Sequence, residues 1–390
     1  MARRGQRGQA LVATVVVMEI VLLILLSALT YTQLSGRLAA RQLIYAGQAN
    51  NAAEAGLVEA LSWFRRQTTQ PVTTFTPKLD NAATPPINDT EEPATGIVRT
   101  FDVSDLGRVR GRYEVTYGKS ADWSGTIDVT VPHGKTTAAA GAVWQLESTG
   151  IIYIQNDSSV DYKTLPNKVL ARRTARTEIQ KMAVKIPAGG AAIFAQKGSA
   201  VTIGAGSRVI GGKDGVGIAY NDTTSITNSG TVSGTPGGTK SNAAGLNDIA
   251  SVFGVNKQEL MNMADVLVKK VSDLPAELPG MSLIVIDGDA VFDSTRQLRG
   301  SGILVVFGNI TIAANNNADY SGVIYCTGNY AQAQPSVVSG AVILGGAGTV
   351  KVTSSGDVAE VDYDKNIIDQ IQQQMADYRF SRAPYLVGVK

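Results

Sequence analysis

The amino-acid sequence predicts a mainly β protein with a long N-terminal α-helix, followed by an antiparallel sheet and then a β-helix-like solenoid. Three observations predict this fold class. An apolar run near the N-terminus passes into an amphipathic stretch without proline, residues 96–187 alternate as strands do, and strand-length apolar runs recur at intervals of about 20 residues near the C-terminus. The 390 residues leave room for two or three domains.

The composition argues against several classes of function. Charged residues make up 17% of the chain, against about 25% in an average soluble domain. The formal net charge of +2 disfavours a nucleic-acid binder. One Cys and one His exclude an internal disulfide framework and a Cys/His zinc cluster. We therefore expect a structural or assembly protein, not an enzyme, and no cofactor.

The first 30 residues predict a single membrane-spanning helix. Three arginines among the first eight residues precede an almost wholly apolar run over residues 10–30, and Glu19 is the one charge within that run. The run is long enough to cross a bilayer, and the arginines predict a cytoplasmic N-terminus. A secretory signal peptide or a plain signal anchor is the alternative, although no A-x-A-like cleavage site stands out after Thr30.

The membrane helix is predicted to continue to residue 66. Between Tyr31 and Arg66 there is no proline, and apolar or small residues recur at spacings of three and four. A helix over residues 9–66 would be on the order of 85 Å long. Because its first half is apolar all round and its second half is amphipathic, such a helix is suited to move between lipid and a protein assembly.

Two motifs in this region resemble the N-terminus of type IV pilins. The tripeptide at residues 6–8, Gln-Arg-Gly before an apolar helix, is similar to a prepilin leader, and residues 52–61 (AAEAGLVEAL) resemble the end of the N-terminal helix in PilX-type minor pilins. The resemblance implies a leader over residues 1–8, cleavage by a prepilin peptidase between Gly8 and Gln9, and methylation of Gln9. It also implies other pilins and the pilus assembly machinery as partners, and passage from the inner membrane, as a single-pass protein, to an extracellular fibre.

The sequence departs from the pattern of major pilins at one position. Major pilins carry a Glu five residues after the cut, where it meets the N-terminal amine of a neighbouring subunit. Here that position is Ala13, and Glu19 is the eleventh mature residue. An isolated carboxylate in hydrocarbon is costly, so Glu19 is expected to pair with a neighbour, to be protonated, or to lie in a bundle interface. The missing Glu would also suit a tip or initiating subunit.

A loop and a sheet are predicted after the helix. Residues 67–95 are rich in Thr and Pro, which is typical of a surface loop. Residues 96–187 predict antiparallel strands, because apolar and polar residues alternate over positions such as 112–117. An EST-G strand followed by an ARRT-type strand resembles the sheet that pilins pack on their N-terminal helix. Three arginines of the latter strand predict either a ligand patch or a solvated strand face: Arg172, Arg173 and Arg176.

Residues 188–390 predict a Gly-rich β-helix-like domain with a helical insert near residues 246–274. Gly-Asp or Gly-Asn pairs begin at positions 288, 308 and 328, each after a strand-length apolar run. Self-similarity at this period indicates a solenoid, and Gly turns between short apolar runs favour a β-helix over a helical repeat. The sequence leaves open whether residues 190–245 and 281–358 belong to the same solenoid.

Three aspartates in the first repeat are weak candidates for a metal site or for acid catalysis: Asp287, Asp289 and Asp293. Asp289 aligns with Asn309 and Asn329, which places it at the same corner of successive coils. Asp and Asn tolerate the left-handed backbone that such corners use. The alignment therefore favours turn chemistry, and we expect no metal.

The predicted function is a minor pilin or pseudopilin, cut by a prepilin peptidase and assembled into a type IV pilus or related fibre. A body this large fits poorly in every layer of a thin fibre, which favours a tip role as initiator or adhesive subunit. The alternative is a membrane-anchored β-helix protein that acts on or binds polysaccharide at the cell surface. Three or more acidic and basic side chains converging in a groove of the solenoid would favour that alternative. A third hypothesis is a signal-anchored protein that never enters a fibre.

Overall fold

The computed structural model describes residues 5–103, 108–119, 121–243 and 245–387. In the first helix it describes side chains at residues 18 and 19 and from residue 21 on, except at positions 34 and 38. The first four residues of the predicted leader lie outside the described residues. The structure confirms the predicted fold class: a long N-terminal helix, an antiparallel sheet and a β-solenoid.

The N-terminal helix, α1, spans Gly5–Arg66 without a break. It therefore begins within the predicted leader and ends at the predicted residue. Its last turns pack on the first sheet through small and aromatic side chains at helical spacing. These buried side chains are Ala49, Ala52, Ala53, Leu57, Ala60, Leu61, Trp63 and Phe64. The rest of the described helix is largely exposed.

Residues 67–95, all of which are described, contain one short hairpin and no other helix or strand. Its strands are β1 (Leu79–Asp80) and β2 (Ile87–Asn88). Two side chains of this segment, Val72 and Phe75, are buried against the end of α1. The segment thus closes one end of the core between the helix and the sheet.

The first sheet is antiparallel and packs one face on α1. Its strands are β3 (Gly96–Asp102), β4 (Val109–Thr116), β5 (Ile127–Asp128), β6 (Val143–Ile154) and β7 (Lys168–Lys181). The order is β3-β4-β6-β7, with β5 beside β6. The other face of the sheet is covered by the loop between β6 and β7, whose Tyr162 is buried.

The chain then enters a solenoid of parallel strands. The first group of strands is β8 (Ala191–Ala195), β9 (Val201–Ile203), β10 (Arg208–Ile210), β11 (Val216–Tyr220), β12 (Thr227–Asn228), β13 (Thr231–Ser233) and β14 (Thr239–Lys240). Glycines punctuate this group, as the sequence predicted. In this group β11 stacks on β8, β12 on β9 and β13 on β10.

The predicted helical insert near residues 246–274 is shorter and more divided than expected. It consists of α2 (Ile249–Phe253), α3 (Lys257–Met263) and a strand, β15 (Val266–Val268). Gly254, at φ 72°, ends α2, and capping boxes begin both helices at Asp248 and Asn256. These local stop and start signals override the helical spacing of the apolar residues.

The second group of solenoid strands alternates long and short. The strands are β16 (Ser282–Ile286), β17 (Ala290–Phe292), β18 (Arg299–Val306), β19 (Ile310–Ile312), β20 (Ala318–Cys326), β21 (Tyr330–Ala333), β22 (Ser336–Leu344), β23 (Val350–Thr353) and β24 (Ala359–Asp362). Helix α4 (Lys365–Gln374) and strand β25 (Tyr378–Val387) follow. The stacking of these strands confirms the 20-residue repeat.

Both groups of strands form one continuous solenoid, which answers the question that the sequence left open. The smaller sheet runs in the order β12-β9-β23-β21-β19-β17. The chain therefore enters the solenoid at β8–β10, which form the second coil from one end, and β11–β14 form the coil at that end. It then crosses to β15 and β16 at the other end and returns coil by coil to β24, which stacks on β10. Tyr363 lies where the first and second groups of strands meet. Its ring packs on Gly190 and Gly215, and a Cβ added at either glycine would overlap that ring.

The last strand does not belong to the solenoid, which differs from the predicted boundary of 188–390. Strand β25 pairs antiparallel with β7, beginning with Tyr378 opposite Lys181. The whole solenoid, residues 182–377, is thus inserted between two neighbouring strands of the first sheet. The sequence repeat ends before β25, but no local pattern shows which sheet the next strand will join.

The three short helices lie between the two bodies and cover the side of the solenoid. Ile368 and Ile371 of α4 are buried in the same core as the coils, and the Phe253 and Tyr325 rings pack edge-on at 5.5 Å. Helix α4 therefore packs on the side of the coils, against β20 and β22, and not on an open end of the solenoid. Ion pairs join this region to the first sheet and its loops: Lys135 pairs with Glu259 of α3 at 3.3 Å, and Arg379 of β25 pairs with Asp265 at 2.9 Å.

Candidate functional site

The described side chains of α1 over residues 21–33 are exposed, and most of them are apolar. Helix α1 is long and apolar enough to cross a membrane by length and composition. Its polar side chains in the apolar run satisfy their hydrogen bonds within the helix: Ser27 Oγ donates to the Ile24 carbonyl and Thr30 Oγ1 to the Leu26 carbonyl, both at 2.9 Å. Internal satisfaction of polar groups is what a spanning helix requires in hydrocarbon.

The predicted cleavage and assembly residues all lie on α1. Gly8, Gln9 and Ala13 belong to its first turns, and their side chains lie outside the described residues. The side chain of Glu19 is described, and it is exposed. Within the described part of the chain no salt bridge includes Glu19. The expectation that Glu19 pairs with a neighbouring subunit remains a prediction.

The AAEAG motif packs α1 against the sheet at backbone distance. A Cβ at Gly56 would overlap the Ser148 side chain, and a Cβ at Gly150 would overlap the backbone of Ala49 and Ala53. Helix α1 and strand β6 therefore approach each other closely at positions where both carry small side chains or none. The motif in the helix and the EST-G motif in the strand thus form the two sides of a single contact, which the sequence alone did not reveal.

Aromatic side chains lock the end of α1 beyond this contact. Phe64 packs on Trp144 at 5.0 Å and on Tyr378 at 5.3 Å between ring centroids. The Tyr378 hydroxyl donates to the Gly141 carbonyl at 2.6 Å and accepts from the Val72 amide at 2.9 Å. Because Tyr378 opens β25, the strand after the solenoid helps to hold the N-terminal helix.

The polar face of β4 is buried. Arg112 is 7% exposed and forms a two-point ion pair with Glu92, at 2.6 Å for both contacts, and a third contact with Glu114 at 2.7 Å. Tyr162 donates to Glu114 at 3.0 Å and covers the cluster. Hydrogen bonds from the Arg112 guanidinium hold the pKa of Glu92 below its ordinary value. Alternation predicted the two faces of the strand but not the loop that covers one of them.

The arginines of β7 do not form a single patch. Arg176 is paired with Glu147 across the strands, while Arg172 is exposed at the opposite end of β7. Arg173 donates to the carbonyl of Arg172. The three arginines therefore divide between a structural pair and a solvated end of the sheet.

Asp289 is a corner residue of the solenoid. The Asn309 amide donates to Asp289 Oδ1 at 2.7 Å, the Asn329 amide to Asn309 Oδ1 at 2.8 Å, and the Thr349 amide to Asn329 Oδ1 at 2.8 Å. Each side chain thus accepts from the backbone of the next coil. The ladder supports the interpretation of these positions as turns, and it includes Thr349, which the dipeptide pattern did not single out.

The other two candidate aspartates have separate structural partners. Asp287 pairs with Lys257 at 2.6 Å, which ties α3 to the solenoid. Asp293 accepts from the Thr295 hydroxyl and from the amides of Thr295 and Arg296, and the Thr295 contacts lower its pKa. Among the described residues no group of three His, Cys, Asp or Glu side chains could hold a metal ion. The three aspartates do not form a common site.

A cavity of about 690 Å³ lies where the loop over residues 271–278 meets the solenoid corner over residues 292–300. Glu277, Arg296 and Arg299 line it, with Leu274, Leu278 and Phe292 as apolar wall. The Arg296 guanidinium donates to the carbonyls of Ser272 at 3.1 Å and Leu274 at 2.8 Å, which fixes the two walls to each other. Its volume is in the range of small-molecule sites.

Comparison with known proteins adds a structural likeness. No protein-family model matches the chain, and no curated protein matches it. Among solved structures, the chain is similar to the crystal structure of the competence-associated pilin ComZ from Thermus thermophilus. The sequence identity is 12% and the TM-score is 0.22, over 88% of this chain and 96% of that chain.

Proposed function

We propose that the chain is a minor pilin or pseudopilin that a prepilin peptidase cuts after Gly8 and that assembles into a type IV pilus or related fibre. The observation that carries the proposal is α1: one unbroken helix whose described side chains over residues 21–33 are exposed and mostly apolar, and whose end packs on a sheet at Gly56 and Gly150. The exposed half would span the inner membrane, with the N-terminus in the cytoplasm, and would later pack against other pilins in the fibre core.

The inserted solenoid favours a low-copy or tip position for the subunit. It projects from between β7 and β25 and is larger than the sheet that carries it. A body of this size crowds successive layers of a thin fibre, whereas at the tip it has free space. There it would start assembly or present an adhesive surface.

Processing by a prepilin peptidase tests this proposal directly. Co-expression with the enzyme should remove residues 1–8, and the mass of the product should identify Gln9 as the new N-terminus. Gly8→Ala should abolish the loss of mass, whereas Gly5→Ala, a glycine of the same leader, should leave processing intact. An unchanged mass of the wild-type chain, with a peptidase that cuts a known prepilin in the same cells, would contradict the proposal.

The role of Glu19 has its own test in fibre incorporation. If its carboxylate pairs with a neighbouring subunit, Glu19→Gln should reduce the amount of the chain in sheared fibres relative to its amount in the membrane. Equal incorporation of Glu19→Gln and wild type would remove the pairing role from Glu19 and leave the rest of the proposal intact.

A second candidate function, binding of an acidic saccharide, is favoured by the cavity at residues 271–300. Within the described part of the chain no salt bridge includes Glu277, Arg296 or Arg299. The Arg299 guanidinium is exposed and is available to pair with a carboxylate. Glycoside hydrolysis generally uses two carboxylates, and Glu277 is the one carboxylate among the described residues that line the cavity. The cavity thus suits binding better than catalysis.

Titration of the full chain with glucuronic acid and with glucose tests this second candidate. Binding should be stronger for glucuronic acid and should weaken roughly tenfold in Arg299→Ala, because a charge-assisted hydrogen bond is lost. Arg208→Ala, an exposed arginine on the same solenoid that pairs with Glu360 at 3.0 Å, is the matched control. Equal weakening by both variants, or equal binding of the two sugars, would contradict the assignment.

A further inference from the structure

Strand β25 completes the first sheet, although it follows the solenoid in the chain. Its first residue, Tyr378, is fully buried in the same apolar cluster as Phe64 and Trp144. The main-chain carbonyl of Tyr378 also accepts from Arg65 Nε at 2.8 Å. Through its ring and its carbonyl, this one residue therefore contacts the last turn of α1.

Without β25 the end of α1 would lose several interactions at once. The Tyr378 hydroxyl joins the Val72 amide to the Gly141 carbonyl, and both of these buried groups would be left without that partner. Removal of the buried ring would also leave a cavity beside Phe64. The packing of α1 on the first sheet thus depends on a strand that the chain reaches only after residues 182–377.

The folded solenoid holds its two ends side by side at the edge of the sheet. The Met182 amide donates to the Asp377 carbonyl at 3.1 Å, and both Met182 and Met375 are buried in the solenoid core. Tyr378 lies directly opposite Lys181, the last residue of β7. Strand β25 therefore needs no loop to reach β7 when the solenoid is folded.

The two ends belong to different groups of solenoid strands. The first end leads into β8, and the Ala183 amide donates to the Phe253 carbonyl of α2 at 2.8 Å. The second end follows β24 and α4, and Gln372 Nε2 of α4 donates to the Val184 carbonyl at 2.9 Å. Because α4 packs on β20 and β22, and β22 stacks on β8, the two ends stay together only while the two groups are joined.

An unfolded solenoid would leave β25 at the end of a long flexible loop. A flexible chain of this length has an r.m.s. end-to-end distance of roughly 80 Å. That distance corresponds to an effective concentration of β25 at β7 of about a millimolar or below. In the folded chain, by contrast, β25 is hydrogen-bonded beside β7. Unfolding of the solenoid therefore removes most of the advantage that keeps β25 in the sheet.

We propose that β25 is a closing strand, which holds the end of α1 on the first sheet only when the solenoid is folded. The dependence runs in one direction, because the solenoid core forms a cluster separate from that of Phe64, Trp144 and Tyr378. The solenoid can thus fold while the end of α1 is loose. In a fibre subunit, the state of the outer domain would then decide how firmly the assembly helix is held, although the coupling itself does not depend on the proposed function.

Urea titration of the full chain in detergent tests whether the packing of α1 depends on the solenoid. Trp63 and Trp144 report on the end of α1 and the first sheet, because residues 182–377 contain no tryptophan. Hydrogen exchange at each urea concentration reports on the coils. Val342→Asp places a carboxylate in the buried stack of β22 on β8, which joins the two groups of strands. Val337→Asp, at an exposed position of the same strand, is the matched control.

Val342→Asp should lower the urea midpoints of the coils and of the tryptophan signal together, by about 1 M or more. Val337→Asp should change neither midpoint. A disulfide formed by Thr174→Cys and Val387→Cys, at paired positions of β7 and β25, holds β25 without the solenoid. With this disulfide present, Val342→Asp should leave the tryptophan midpoint unchanged while the coils remain destabilised. Cys326 is buried and stays outside this bond.

Substitutions in β25 test the opposite direction on a chain whose solenoid is intact. Tyr378→Ala should lower the tryptophan midpoint and leave the exchange of the coils unchanged. Tyr385→Ala, at an exposed position of the same strand, should change neither. Because these variants leave the coils untouched, they decide the role of β25 even where Val342→Asp fails to fold.

A tryptophan midpoint that stays in place in Val342→Asp while the coils unfold earlier would overturn the proposal. Equal effects of Tyr378→Ala and Tyr385→Ala would overturn it as well. A shift of the tryptophan midpoint that the disulfide does not cancel would show that direct contact between the solenoid and the sheet, and not the closing strand, couples the two regions.

Discussion

The contact between α1 and the first sheet uses glycine differently from the contacts between coils of the solenoid. At the helix, Gly56 and Gly150 each remove a Cβ at a single place where two different elements touch. In the solenoid, Gly302, Gly322 and Gly340 stack in register, and each repeats the same backbone contact with the previous coil. Among the described residues the first kind of contact occurs only between α1 and β6, whereas the second recurs from coil to coil.

The difference predicts how each region responds to damage. A substitution in the contact between the sheet and the helix should destabilise the whole interface, because α1 has no alternative packing on that sheet. A substitution in a stacked contact should destabilise only the neighbouring coils, since each coil also bonds to the coil on its other side. The two regions can be followed separately. The end of α1, the first sheet and the loops between its strands together form the head. The head contains the three tryptophans, Trp63, Trp123 and Trp144, and the described solenoid contains none.

Gly150→Ala should have the largest effect on stability. Its Cβ would overlap the backbone of Ala49 and Ala53, and a helix backbone cannot move aside as a side chain can. We expect a loss of about 3 kcal/mol or more in the free energy of unfolding of the head, measured by tryptophan fluorescence in a denaturant titration in detergent. Gly47→Ala, on an open face of α1, is the control and should stabilise by about 0.5–1 kcal/mol. Equal effects of the two variants would contradict the close-packing account.

Gly340→Ala should have the next largest effect, confined to the solenoid. Gly340 has φ 136°, and a Cβ there would overlap the Gly322 carbonyl of the previous coil. Gly356 has φ 131° with open space around it, so Gly356→Ala carries the backbone strain without the overlap. We expect losses of about 3 and about 1 kcal/mol respectively, measured by hydrogen exchange in the coils. Equal losses would show that backbone strain, and not stacking, sets the cost.

Asn309→Ala should have a moderate effect, because it removes an acceptor in the corner ladder. The Asn329 amide would lose its partner at 2.8 Å, at a cost of about 1 kcal/mol. Asp289→Asn keeps an acceptor and should change stability by less than about 0.5 kcal/mol. Asn309→Asp also keeps the acceptor, but it sets a carboxylate against Asp289 Oδ1, to which Asn309 Nδ2 donates at 3.0 Å, and should cost about as much as Asn309→Ala. Far-UV circular dichroism in a denaturant titration measures the three variants. A large loss in Asp289→Asn would mean that its charge has a role beyond the turn.

The smallest expected effect is a change in the pH dependence of the head. Because hydrogen bonds from Arg112 lower the pKa of Glu92 in the folded chain, the pair stabilises the head above the unfolded pKa of about 4.3. That stability is lost as the pH falls through the folded pKa. Glu92→Gln should therefore flatten the loss of stability between about pH 5 and pH 3, whereas Glu91→Gln, outside the described salt bridges, should not. Parallel pH profiles of wild type and Glu92→Gln would contradict this.

Local periodicity predicted much of the fold. The spacing of apolar residues predicted α1 to its last residue, alternation predicted the strands of the first sheet, and the 20-residue repeat predicted the corner role of Asp289. These features depend on neighbours in sequence or on strict repetition. They are therefore visible in the chain itself.

The features that the sequence did not reveal depend on distant partners. The pairing of β25 with β7 joins Tyr378 to Lys181, and the stacking of β22 on β8 joins Val342 to Ile193. Alternation marked Arg112 as the polar face of a strand, but only the fold shows that the loop with Tyr162 buries it. The cavity at Arg299 arises in the same way, since hydropathy predicts which face of an element is apolar and not which segment will cover that face.

The central claim, that the chain is a fibre subunit carrying an inserted solenoid, is tested most directly by the N-terminal mass of the chain recovered from sheared, purified fibres. The account predicts a chain that begins at Gln9, methylated at its N-terminus, with the solenoid still attached. A chain that begins at Met1, or its absence from fibres of cells that hold it in the membrane, would contradict the account.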